Sequence, residues 1–421
     1  MMQHIRPITD MRWAWIGALG CFVLAGLTGA LYRFGLGYGF TLGFDLVNVR
    51  HAHSHLMYLG WVTPALFALI IRQLPALTGQ AFSPKGRWVI GATFAMALLA
   101  YPLFLAFGYR SVALGEVRVP LAAIAASLNM LVWYVFVAFY VRATRGVQRT
   151  RAILLWDMAL TFLVVATLGA WGLALLEPLG IDDPMWVIAL KHVFLDLFSE
   201  GWFVLATLGA AYAVLAPSSP KAGHWSLWLI CAGLPVIFAL GMPESLISPP
   251  MKVLARLGGV LVAGGLLVQV GMLWPMIPNE RSWLWRVPLV LLTLKLLAQL
   301  AVSIVPGVWW ADMQGLRIFY LHLMLLGFVT LGLVAAASRV WGSSATRGLG
   351  WLYAAVLLVF GSLLPFTTLW PSAWSGTWAW STAAWVALGP ALVAFVMAGK
   401  GIYRPTGSVV AQQEGEGDGS A

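Results

Sequence analysis

The stretch His55-Leu-Met-Tyr-Leu-Gly60-Trp61 returns later in the chain as His322-Leu-Met-Leu-Leu-Gly327-Phe328. Each copy lies in an apolar run of about 20 residues or more, which is long enough for a transmembrane helix. A histidine inside such a helix needs a polar partner or a metal ion, because an ionisable group is costly to bury in lipid. Two histidines in the same local frame therefore suggest that they share a ligand.

The composition describes an integral membrane protein. Of the 421 residues, 61% are hydrophobic and 10% are charged, and the mean hydropathy is +0.86. The apolar runs are long and lack the ten-residue alternation of an outer-membrane barrel, so we expect an all-α membrane bundle. About twelve spans are predicted, at residues 12–33, 51–72, 86–108, 119–142, 151–175, 185–215, 225–243, 253–275, 283–306, 314–338, 348–369 and 378–399.

Charge predicts the topology. Loops on the N-terminal side carry about twice as many Lys and Arg residues as loops on the other side, which follows the positive-inside rule and predicts cytoplasmic termini in a bacterial-type inner (plasma) membrane. The net charge of +10 is spread over many loops. It therefore indicates contact with membrane lipid rather than with nucleic acid. We expect one transmembrane domain over residues 1–404 and a disordered cytoplasmic tail over 405–421.

The second, sixth and tenth predicted helices share the opening motif. Aligned on the Gly-aromatic pair, the sixth reads Asp196-Leu-Phe-Ser-Glu200-Gly201-Trp202. Copies that recur every fourth helix predict three four-helix units related by pseudo-three-fold symmetry.

The two matched histidines predict a haem b site, with His55 and His322 as iron ligands from two helices. The other histidines near the start of the second helix, His51 and His53, are alternatives to His55, and Tyr320 is a further candidate ligand. Neither Cys21 nor Cys231 belongs to a covalent haem attachment motif. The haem would therefore be bound non-covalently. Hydrogen-bonded structural histidines are the alternative reading.

The sixth helix carries a second candidate site. His192, Asp196 and Glu200 are spaced at i, i+4 and i+8, so they share one helical face. They predict a metal site for non-haem iron or copper, or a proton relay; an ion pair that only neutralises buried charge is the alternative. Three further ionisable residues are predicted within the membrane, namely Glu244, Asp157 and Lys295.

Twelve spans and ligand-type residues on the second, sixth and tenth helices make the chain resemble the catalytic subunit of the haem-copper oxidase and nitric oxide reductase superfamily. The resemblance covers nearly the whole chain and implies a low-spin haem bound by one histidine from the second helix and one from the tenth, matched here by His55 and His322. The glutamate of the nitric oxide reductase pattern His-x-x-x-Glu-Gly is matched by Glu200.

The same resemblance predicts an altered catalytic centre. Tyr320 stands where the family has the catalytic haem ligand, Asp196 replaces the histidine of the sixth helix, and no histidine lies between His224 and His322. Locally, His53-Ser-His55 followed by an apolar stretch to Gly60 is similar to NnrS-type nitric-oxide-response membrane proteins, which contain haem and copper.

These observations leave three functional hypotheses. The first is a haem protein for electron transfer or nitric oxide handling that receives electrons from a quinol or a cytochrome. The second is a divergent oxidoreductase that reduces NO or O2, with Glu200, Asp196 and Glu244 at its catalytic centre. The third is a proton-coupled transporter without a cofactor.

Overall fold

The computed structural model describes residues 10–80, 82–176, 179–217, 224–305, 313–342 and 348–402. Within them, 12 helices are long and apolar enough to cross a membrane, which confirms the predicted all-α bundle of a multi-pass membrane protein. The predicted tail 405–421 lies outside the described residues. The helices are α1 (Arg12–Tyr38), α2 (Leu46–Thr78), α3 (Gly86–Phe107), α4 (Leu121–Thr144), α5 (Arg151–Leu176), α6 (Pro184–Leu215), α7 (His224–Gly241), α8 (Pro249–Met276), α9 (Trp283–Ile304), α10 (Gln314–Trp341), α11 (Leu349–Phe366) and α12 (Thr377–Lys400).

The three helices that carry the repeated motif form the centre of the bundle. In α2 and α6, 78% of the most apolar 18-residue window is buried, and in α10 67%, against 33–50% in the other helices. Helices that follow one another along the chain pack together and form three arcs. The first arc contains α3 to α6, the second contains α7 to α10, and the third contains α11, α12, α1 and α2. Each arc ends in one inner helix, and the inner helices touch one another.

Each copy of the motif contains a π-helical segment. These segments span Leu56–Val62, Leu197–Val204 and Leu323–Thr330. They begin directly after His55, Asp196 and His322, the three residues that the sequence alignment placed in one frame. Such segments widen a helix locally and are frequent at functional sites. The motif therefore marks a structural repeat as well as a repeat in sequence.

Tryptophans of the motif link the inner helices in a ring. The Trp202 indole on α6 donates to the Thr63 hydroxyl on α2 at 3.4 Å, and the Trp61 indole on α2 donates to the Thr330 hydroxyl on α10 at 3.2 Å. At the third interface, Phe328 on α10 takes the place of the tryptophan and Val204 on α6 takes the place of the threonine. Both residues are apolar and buried. The same two positions thus face each other at successive interfaces, as expected for a pseudo-three-fold axis.

The second helix begins earlier than predicted, at Leu46 instead of residue 51. The Asp45 carboxylate caps it by accepting hydrogen bonds from the amides of Val47 and Asn48 at 2.8 and 3.2 Å. The first turns are polar, so a hydropathy window does not detect them. A short antiparallel hairpin, β1 (Val112–Leu114) and β2 (Val117–Val119), joins α3 to α4.

Candidate functional site

His53 on α2 and His322 on α10 lie near each other, on the side of these helices that faces α1. The two rings and the Arg33 guanidinium on α1 are close enough that a charge on one would act on the others. Both imidazoles are half-buried, although they belong to the central helices. This arrangement brings two potential iron ligands and one cation into one region between α1, α2 and α10.

Backbone carbonyls orient both rings in the same way. Nδ1 of His53 lies 2.7 Å from the carbonyl oxygen of Ala25, and Nδ1 of His322 lies 2.7 Å from that of Ile318. A carbonyl only accepts, so each Nδ1 carries the proton and each Nε2 keeps its lone pair. Within the described part of the chain, neither Nε2 has a hydrogen-bond partner. This is the tautomer that a metal-binding histidine uses, with a second group holding the other ring nitrogen.

The α1 helix leaves room for the His53 ring at Gly29. A Cβ atom at this position would lie 2.7 Å from Cε1 and 2.8 Å from Nδ1 of His53, so even alanine would displace the imidazole. Ala25, Gly29 and Arg33 are spaced four residues apart and follow one face of α1. On that face, Ala25 contributes a backbone carbonyl, Gly29 leaves space for the His53 ring, and Arg33 contributes a positive charge.

Arg33 is a cation without an acidic partner among the residues that the structure describes. Its guanidinium lies 5.5 Å from the ring centroid of Phe366 on α11, and none of the ion pairs in the described ranges involves it. A half-buried charge is costly unless an anion compensates it. The region near His53 and His322 is therefore suited to an anionic group.

His55, the histidine preferred from sequence, is turned toward a different helix. Its ring stacks on Phe104 of α3 with centroids 3.7 Å apart, and its Nε2 lies 3.0 Å from the hydroxyl of Tyr109. Residues two apart on a helix point about 200° apart, which separates His55 from His53. The structure thus places His53, one of the stated alternatives, near His322 and places His55 against α3.

His51 shares the side of α2 that His55 occupies. Its ring packs edge-on against Tyr109 at 4.8 Å and lies 6.5 Å from the ring of His55. The carbonyl of His51 holds Nδ1 of His55 at 2.9 Å. His51, His55 and Tyr109 therefore form a separate cluster near the end of α3.

A second buried cluster joins α6, α9 and α10. The Tyr320 hydroxyl donates to Glu200 Oε1 at 2.8 Å, and Lys295 Nζ lies 2.7 Å from Glu200 Oε2. Lys295 also donates to Gln299 Oε1 at 2.6 Å, and Gln299 donates to the Gly259 carbonyl at 3.2 Å. All four side chains are at most 6% exposed. The predicted ionisable residues Glu200 and Lys295 thus neutralise each other.

A small cavity of about 60 Å³ adjoins this cluster. Its lining combines charged, hydroxyl and apolar groups, and the polar members include Tyr58, Asp196, Ser199, Glu200, Gln299, Arg317 and Tyr320. A space of this size, with these polar groups in its lining, is suited to a few water molecules. It extends from the buried ion pair toward Arg317 in the first turn of α10.

The three residues of the α6 stripe do not converge on one point. The guanidinium of Arg317 lies 3.2 Å from a ring nitrogen of His192, where it would repel a metal ion, and Asp196 lies 3.7 Å from His192. Glu200 is bound instead to Lys295. Within the described ranges, no group of three or more His, Cys, Asp or Glu side chains is arranged to hold a metal ion.

The remaining ionisable candidates lie elsewhere. Glu244 was predicted within the seventh membrane span, but α7 ends at Gly241 and Glu244 lies in the following turn, 48% exposed and paired with Lys252 at 3.1 Å. Asp157 on α5 pairs with Arg149 at 2.8 Å and accepts a hydrogen bond from Tyr140. Both pairs lie apart from the Glu200 cluster.

Sequence reasoning missed the contribution of α1. Gly29 and Arg33 sit in the first span, and an arginine near the end of an apolar run is easily read as an interfacial residue. Lys295 was noted, but Gln299 one turn later was not, although an amide and an ammonium at i and i+4 share a face. A buried lysine needs an acidic partner, and Glu200 was the candidate that the sequence already offered.

Comparisons with known proteins identify no relative by sequence. No family model matches the chain, and no curated protein matches it.

Proposed function

We propose that this protein is a membrane b-type haem protein in which His53 and His322 are the two iron ligands and which transfers electrons. One observation carries the proposal. Two imidazoles from central helices face the same region, and each holds its Nδ1 proton on a backbone carbonyl and keeps its Nε2 lone pair available. Structural histidines in lipid would be expected to satisfy both ring nitrogens.

The surrounding residues fit a haem. Bound there, it would supply one-electron redox chemistry. The carbonyls of Ala25 and Ile318 orient the ligand rings, and Gly29 leaves space for His53. Arg33 offers a positive charge that has no carboxylate partner in the described ranges, so it would compensate an acidic substituent of the porphyrin.

Electron transfer is favoured over gas reduction by the ligand set. With His53 and His322 both bound to it, the haem would have no free coordination position for O2 or NO and would supply one-electron transfer. Nitric oxide handling would require one histidine to dissociate. The electron donor would be a quinol or a partner cytochrome, because the chain carries no covalent haem attachment motif of its own.

The test compares three alanine variants of the purified protein. A haem stoichiometry assay and the optical and electron paramagnetic resonance spectra should show low-spin haem b in the wild type. His53→Ala and His322→Ala should lose that low-spin signature. His55→Ala is the matched control and should keep it, because His55 faces α3.

Two outcomes would contradict the proposal. If His55→Ala lost the low-spin spectrum while His53→Ala kept it, the ligand assignment would be wrong. If the wild type, expressed with ample haem, showed no Soret band, the haem proposal would fail, and a proton-coupled transporter using the Glu200 cluster would become the better hypothesis.

A further inference from the structure

The Glu200 cluster lies where the resemblance to nitric oxide reductases implies a second metal centre. Glu200 matches the glutamate of that centre, and Tyr320 occupies the place of the catalytic haem ligand. We propose that the ammonium group of Lys295 is a built-in cation that replaces the metal in an oxygen-lined site formed by Glu200, Gln299 and Tyr320. This inference does not depend on the haem site at His53 and His322.

The geometry around Lys295 is that of a cation site. Its Nζ lies 2.7 Å from a carboxylate oxygen of Glu200 and 2.6 Å from the amide oxygen of Gln299. The ring centroid of Tyr320 lies 5.0 Å away, within the range of a cation–π contact. Lys295 is fully buried. Among the residues that the structure describes, these groups and their polar neighbours compensate its charge.

The local charge count disfavours a divalent ion beside Lys295. The Glu200 carboxylate is already paired with the Lys295 ammonium. Asp196 and Arg317 line the adjoining cavity, and Asp196 interacts electrostatically with Lys295. A metal ion would add two positive charges beside a carboxylate that an ammonium group already neutralises, where the protein interior screens charge poorly.

The short distance between the candidate ligands also disfavours a second metal centre here. The residues that would hold a catalytic haem and a neighbouring metal, Tyr320 and Glu200, are in direct contact, at 2.8 Å. The residues at this position therefore do not fit a second haem.

Removing the ammonium group should recreate a metal site. A Lys295→Ala change vacates the space between Glu200 and Gln299, and it leaves a carboxylate, an amide oxygen and a phenol oxygen around it. Hard divalent ions prefer such oxygen ligands and retain several waters. The adjoining cavity has room for some of those waters. Mn2+ is a suitable probe because it is paramagnetic and is distinguished from haem iron by elemental analysis.

The experiment measures Mn2+ bound to purified full-length protein after incubation and desalting. The wild type should retain only background Mn2+, and Lys295→Ala should retain about ten-fold more. Lys295→Met is the matched control: it also removes the charge, but its side chain refills the space, so it should stay at background. Glu200→Gln/Lys295→Ala should lose the binding because the carboxylate is gone.

Three results would overturn the inference. One is stoichiometric non-haem metal in the wild type that disappears in Glu200→Gln. Another is a folded Lys295→Ala protein that binds no more Mn2+ than the wild type. The third concerns folding: if Lys295→Ala could not be purified even from cells grown with added Mn2+, while Glu200→Gln/Lys295→Met could, then a metal ion does not substitute for the ammonium group.

Discussion

Tyr320 and His322 are separated by a single residue on α10, yet they belong to two different clusters. The Tyr320 hydroxyl contacts Glu200 on α6 at 2.8 Å, whereas His322 lies near His53 on α2 and Arg33 on α1. Side chains two residues apart point to nearly opposite sides of a helix. The α10 helix therefore separates a buried ion-pair cluster from the proposed haem site.

Gly29→Ala should weaken haem binding. The new methyl group would overlap the His53 ring, and overpacking of this kind costs about 1–3 kcal/mol, which corresponds to roughly a ten-fold loss of haem affinity. Haem titration of the apoprotein measures the effect. Gly20→Ala, on the same helix, is the control because its added Cβ would have no neighbour within 4 Å. Equal affinities in the two variants would show that His53 need not keep its position for haem binding.

Arg33→Gln should lower the midpoint potential of the haem. A nearby positive charge disfavours the ferric state, which carries one more positive charge than the ferrous state. Losing about 1–2 kcal/mol of this interaction would shift a one-electron couple by roughly 40–90 mV. Redox titration measures the shift, and Arg87→Gln, whose guanidinium packs on the exposed Trp88, serves as the control. An unchanged or higher potential in Arg33→Gln would argue against a haem near Arg33.

The ion pair of Glu200 and Lys295 should be strongly coupled. Glu200→Gln or Lys295→Met alone leaves one buried charge unpaired, which costs about 3–5 kcal/mol. The double variant removes both charges and should be much closer to the wild type in stability. Thermal unfolding in detergent measures the stability of the wild type, the two single variants and the double variant, which together form a double-mutant cycle. Additive losses in the double variant would mean that the two side chains are not energetically paired.

The threonines of the inner ring should contribute through their tryptophan partners. Thr63→Val and Thr330→Val each remove an acceptor from a buried indole, at a cost of about 1–3 kcal/mol. Trp202→Phe/Thr63→Val copies the apolar pair Phe328 and Val204, and should recover part of that loss.

Thr207→Val is the control for the threonine variants. The Thr207 hydroxyl is buried and has no hydrogen-bond partner within the described residues, so its removal should be neutral or stabilising. Unfolding temperatures of the variants test the set. If Thr207→Val lowered the unfolding temperature as much as Thr63→Val, the hydrogen bonds to the indoles would not explain the loss of stability.

The repeat explains why sequence alone pointed to His55. The alignment is correct in structural terms, since π-helical segments follow both His55 and His322. Residues related by a three-fold axis, however, face three different but equivalent spaces between helices, and they do not face one shared space. His322 therefore lies close to a residue from a different frame position, His53, and the shared frame does not by itself bring His55 to His322.

The sequence by itself determined the twelve membrane spans, the recurrence of the motif in every fourth span and the residues available for chemistry. It did so because lipid demands long apolar helices and makes every ionisable residue within them conspicuous. Tertiary structure alone decided which of these residues meet. The rotation of α2 against Ala25 and Gly29 turns His53 toward α1 and α10, and the packing of α9 against α10 brings Lys295 to Glu200. Such rotations depend on side-chain contacts between helices far apart in the chain, and hydropathy does not encode them.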